Sequence, residues 1–84
     1  MKTNLNTETI IEKISEEYRK KMKKISGIEK EILDITKEME DQYISYKKFL
    51  DLQKYKEELE AELIQVRYVA DGIAQAREIV FELM

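Results

Sequence analysis

The chain has 84 residues, 15 Lys/Arg against 18 Asp/Glu, a net charge of −3, and neither histidine nor cysteine. That leaves room for one small domain. It also removes the commonest general base and metal ligand, together with disulfide and thiolate chemistry.

With 39% charged residues, two glycines and no proline, the composition is that of long helices or a coiled coil. A chain this short buries only about 60–65% of the surface its unfolded form exposes. Lacking metal and disulfide, it is expected to gain stability from self-association or a partner.

The N-terminal segment 1–5 is expected to fray, with a first helix over about 6–26. Asn6 suits the N-cap, because its side-chain oxygen can accept from free first-turn amides. Leu5 and Ile10 stand at staple spacing around it, and Glu8 favours the positive end of the helix dipole.

Apolar residues then recur in heptad steps: Ile11, Tyr18, Ile25, Ile32, Met39 and Tyr46. Ile14, Ile28, Ile35 and Phe49 fill the companion row, interrupted by Lys21 and Gln42. Two rows in a 3–4 pattern make a seam for another helix.

Gly27 sits in "KKISGIEKEI" among three helix-end signals. Four lysines precede it, the glycine itself can adopt a left-handed C-cap, and Ser26 with Glu29 spells a capping box. A turn or kink at 26–27 is expected, with a long helix from 28 onward. The apolar row nevertheless crosses Gly27 in phase.

The phase changes near 49–53. A new row follows: Leu52, Leu59, Val66, Ile73 and Val80, broadened by Tyr55, Leu63, Val69, Ala70 and Ala76. This stripe is wide enough for more than one neighbour. Gly72 is read as an in-helix small residue, four before Ala76, that lets another helix come close. A break at 71–72 is the alternative.

Charge is unevenly placed. Residues 1–30 carry eight basic and five acidic groups, net +3; residues 31–84 carry seven and thirteen, net −6. The basic block "RKKMKK" and the acidic block "EELEAE" meet if helices pair antiparallel about residues 40–42. A hairpin would have to turn there, in "MEDQYIS", without glycine, proline or asparagine. An antiparallel dimer of long helices gives the same pairing with no turn. The expected fold is therefore all-α: long amphipathic helices in a helical hairpin or coiled-coil-like bundle, completed by self-association with a dimer favoured.

Catalytic, metal and cofactor sites are not expected. The carboxylates Glu57, Glu58, Glu60 and Glu62 spread around a helix as a solvated face does, and no phosphate- or dinucleotide-binding glycine pattern occurs. No apolar run approaches the ~20 residues of a membrane span. "MKTNLNTETI" also lacks the apolar middle of a signal peptide, so a cytoplasmic protein without membrane contact is expected.

Protein binding is the leading expectation. Tyr43, Tyr46, Phe49 and Leu50 cluster where the phase changes, and aromatic side chains are enriched at interface cores. The self-association seam comprises Ile11, Ile14, Tyr18, Ile25, Ile28, Ile32, Ile35, Met39, Tyr46, Phe49, Leu59, Leu63, Val66, Ile73 and Val80. The alternative is a nucleic-acid-associated factor whose Arg19, Lys20, Lys23 and Lys24 contact phosphates or an acidic partner.

In style, the short Lys/Glu/Ile-rich chain ending in "GIAQAREIVFEL" resembles small accessory proteins of phages or mobile elements of low-GC bacteria. That resemblance implies an inhibitor or modulator of a host protein, and assigns no residue a role.

Overall fold

In the computed structural model, the chain is described from residue 2 to 83, with side chains from Glu8 onward. Helix α1 runs Lys2–Met39 and helix α2 runs Tyr46–Glu82, 38 and 37 residues. A six-residue turn folds α2 back along α1. The result is an antiparallel hairpin, a rod of 66 × 14 × 13 Å. The described residues contain no strand.

Helix α1 passes through Gly27 without interruption, which corrects the expected turn at 26–27. Neither glycine has a positive φ. The energetics explain the continuity. A glycine inside a helix costs only about 1 kcal/mol relative to alanine. Ile25 and Ile28 flank it and are each 6% exposed. Burying a side chain of that size contributes about 1.5–3 kcal/mol. Ending the helix at Gly27 would put both burials at risk. Ser26 is therefore an interior helical residue and caps nothing.

The start of α1 also differs from expectation. The helix begins at Lys2, so Asn6 lies within it rather than capping it, and residues 2–5 are helical. The side chains of Leu5 and Asn6 lie outside the described residues. The helix through Asp71 and Gly72 is unbroken as well.

The real turn occupies 40–45, and its chemistry comes from residues other than glycine, proline or asparagine. The Glu40 amide still donates to the Thr36 and Lys37 carbonyls, each at 3.2 Å, closing α1. Asp41 then opens a β-turn. Its carbonyl accepts from the Ile44 amide at 3.1 Å, while its Oδ1 accepts from the Tyr43 amide at 3.0 Å. Aspartate suits this position because its side chain stands in for a backbone acceptor. Ser45, with extended backbone, caps α2 through Oγ accepting from the Lys48 amide at 3.2 Å. Ile44 and Phe49 stand at staple spacing around it, and both are half-buried. The apparent phase change near 49–53 is the restart of the periodicity on a second helix.

Among the described residues the core is one seam of seven buried side chains: Ile25, Ile28 and Ile35 from α1, and Leu59, Leu63, Val66 and Ala70 from α2. Tyr18, Ile32, Met39 and Leu52 pack against it from the edges. The heptad rows find their other half within the same chain.

Candidate interaction surface

The two helices differ in their outward faces. On α1 the side opposite the seam is polar, with Glu12, Glu16, Arg19, Lys23, Lys30 and Asp34 all exposed, and Leu33 and Met22 stand exposed at its margin. On α2 it is not. At about 100° per residue, Tyr46, Leu50, Ile64, Tyr68 and Ile79 fall within an arc of about 60°, roughly opposite the buried Leu59–Ala70 side. Ile64 is 68% exposed, Tyr68 81% and Ile79 57%. Leu83 adjoins them and is also exposed. Polar strips flank this outer stripe on both sides. Lys47, Lys54, Glu58 and Gln65 lie on one, and Gln53, Glu60, Arg67, Asp71 and Glu78 on the other. Glu57, Gln75 and Glu82 fall within the same arc. Helix α2 therefore carries an inner apolar stripe filled by α1 and an outer apolar stripe, interrupted by these polar positions, open to solvent.

The sequence-read seam divides on the structure. Ile25, Ile28, Ile35, Leu59, Leu63 and Val66 form the buried core. Tyr18, Ile32 and Met39 are partly buried against it. Ile11, Ile14, Phe49, Ile73 and Val80 are half-buried and lie outside the cluster. Tyr46 is not in the seam at all. It opens α2 on the outer stripe, 78% exposed. Ala70, at 3% the most buried side chain of the core, entered the sequence reading only as a broadening position.

The aromatic cluster separates too. Tyr43 projects from the turn at 86% exposure, Tyr46 and Leu50 lie on the outer stripe, and Phe49 turns inward. The turn-end aromatics are thus continuous with the outer stripe. Ile64, Tyr68 and Ile79 were missed in sequence. Their spacing of four and eleven was legible, but it was masked by the wider row it accompanies.

The basic block disperses around α1. Lys20 pairs with Glu17 at 3.4 Å, and Lys24 reaches across to Glu62 at 3.5 Å. The Arg19 Nε donates to the Ser15 carbonyl at 3.3 Å. Lys23 has no partner among the described residues. On the opposite edge of the hairpin, Arg67 donates to Glu29 at 3.0 Å. These exposed pairs are each worth about 0–1 kcal/mol and fix orientation more than stability. The Tyr55 hydroxyl donates to Glu31 at 3.5 Å. The nearby Glu31 charge, with some desolvation, holds the Tyr55 phenol above its usual range.

Concave features are shallow. A cleft of 240 Å³ lies between Tyr18, Ala74, Arg77, Glu78 and Phe81, with Arg77 over the Phe81 ring at 5.4 Å. Among the described residues no group of three or more carboxylates could hold a metal ion. No described helix is long and apolar enough to cross a membrane.

The fold and surface together define a two-helix hairpin with an unpartnered apolar face. No protein-family model, curated protein or solved structure matches the chain.

Proposed function

We propose that this chain is a non-enzymatic helical interaction module that self-associates and binds a partner protein. One observation carries the reading: the outer stripe of α2, continuous with Tyr43 at the turn, exposes large apolar groups in helical register. Scattered surface apolar residues are ordinary, but large apolar groups lined up on one helix face, here with Glu57 and Gln75 among them, favour an interaction site. The module works in the cytoplasm as an adaptor, or as an inhibitor that occludes a partner's surface. The style shared with phage and mobile-element accessory proteins suits the second role and a host protein as its target.

The test is capture from native host extract with Tyr43→Lys and Tyr68→Lys variants beside the parent, read by mass spectrometry. Proteins retained by the parent and lost by the variants are the expected result. An unchanged set of captured proteins removes the surface from consideration.

The alternative, a nucleic-acid accessory function, draws on exposed Arg19 and Lys23. It is weaker because Lys20 and Lys24 already face carboxylates. Absence of DNA or RNA binding by the parent at low salt excludes it.

A further inference from the structure

We infer that the outer stripe of α2 is covered by α2 of a second copy, running antiparallel, so that two hairpins form a four-helix layer with the α2 helices at its centre. The inference rests on the interaction-module reading and gives it an occupant.

Three observations converge. The first is area. The chain exposes 7003 Å² at a mass of 10.1 kDa. A compact monomer of that mass exposes about 5,300 Å². The excess exceeds the ~800 Å² per partner that a standard stable interface removes.

The second is charge. The first eleven residues of α2 hold Lys47, Lys48, Lys54 and Lys56 against Asp51, net +3. The last twelve hold Asp71, Glu78 and Glu82 against Arg77, net −2. Antiparallel pairing sets the basic start of each α2 against the acidic end of the other. A parallel pairing sets each end against its own copy. Complementary potential selects orientation in this way.

The third is shape. With the two-fold axis beside Ile64 and Gln65, Leu50 lies opposite Ile79 and Tyr46 opposite Leu83. The same register places Ala61 opposite the large ring of Tyr68. Lys47 comes opposite Glu82. Glu57, the charge at the middle of the stripe, falls opposite Gly72 instead of opposite itself. A Cβ at Gly72 would meet nothing within 4 Å, so that position has open space in the lone hairpin. The same register sets Ile64 opposite Gln65 at the axis; away from the axis it pairs apolar with apolar, small with large, and basic with acidic.

The experiment has two arms. Sedimentation equilibrium on the parent should give about twice 10.1 kDa, and Ile64→Glu should return one chain mass with helical circular dichroism retained. The second arm uses the absence of cysteine. Leu50→Cys and Ile79→Cys variants, mixed and mildly oxidised, should form the mixed disulfide, and neither should pair with itself. A parent that stays at one chain mass up to millimolar concentration overturns the inference. So does efficient Leu50→Cys self-pairing, which reports a parallel or unrelated contact. The cysteine arm holds even if Ile64→Glu unfolds. A monomeric parent whose Tyr68→Lys variant still loses its captured protein removes only the second copy and leaves the interaction-module reading standing.

Discussion

Gly27 shows most plainly how local signals lose to packing. Lysines, glycine and a capping box all mark an ending there, yet the helix continues because Ile25 and Ile28 on either side are core residues. The glycine is a cost the helix carries, and it is removable: a Cβ built there would meet nothing within 4 Å. Gly27→Ala is therefore expected to stabilise the hairpin by roughly 0.5–1 kcal/mol, through helix propensity and a less free unfolded chain. Urea unfolding monitored by circular dichroism should show the midpoint rise with an unchanged slope; a fall in midpoint would mean the backbone at 27 is not helical. Tyr55 supplies a second residue-scale expectation. Its phenol is raised chiefly by the Glu31 charge, so it should ionise above the usual value near 10. A group with a raised folded pKa favours folding at pH below its unfolded value. That contribution disappears as pH climbs through the folded one. Absorbance titration of the tyrosinates should lose a step above 10 in Tyr55→Phe and shift that step downward in Glu31→Gln.

At the scale of elements, the legibility of the sequence follows from how many faces each helix uses. Helix α1 has one apolar stripe and a polar back, and its rows gave Ile25, Ile28, Ile32 and Ile35 directly. Helix α2 has two stripes, which blur into one broad row, so Leu59, Leu63 and Val66 were read but Ile64, Tyr68 and Ile79 were not. Charge carried the one signal for the turn: the basic and acidic blocks centre on residues 40–42, where the chain turns at 40–45, although the turn or kink is expected at 26–27. Residues 40–45 hold no glycine, proline or asparagine, the usual turn residues. Asp41 and Ser45 perform both jobs, one closing a β-turn and the other capping a helix, and neither needs a left-handed residue. Ser45→Ala should accordingly cost about 1 kcal/mol, because the Lys48 amide loses its acceptor at the point where α2 starts. Ser45→Asp should restore most of that loss in the same denaturation experiment. Equal destabilisation by both would show that the side chain acts in some way other than capping.

For the whole molecule, the decisive property is length. The hairpin measures 66 Å along its axis with a Cα radius of gyration of 19.1 Å, against about 12 Å for a compact chain of this size. If the chain failed to turn at 40–45 and ran on as one helix, its 84 residues would extend about 126 Å at 1.5 Å each. The two arrangements share their seam, since an antiparallel pair of such rods could bring Lys24 near Glu62 and Glu29 near Arg67 of another chain. Stability measurements on those residues therefore cannot separate them, and association alone cannot either. Length can, because hairpins that associate side by side through their α2 helices keep the length of one hairpin. Small-angle scattering across a concentration series should give a maximum dimension close to 66 Å throughout, with mass rising and length constant as copies associate. A dimension near twice that value would show that the turn opens and that the partner half of the seam comes from another chain. The bonds from Asp41 and Ser45 are what oppose that opening. The double variant Asp41→Ala with Ser45→Ala is the form of this chain in which a longer particle should first emerge.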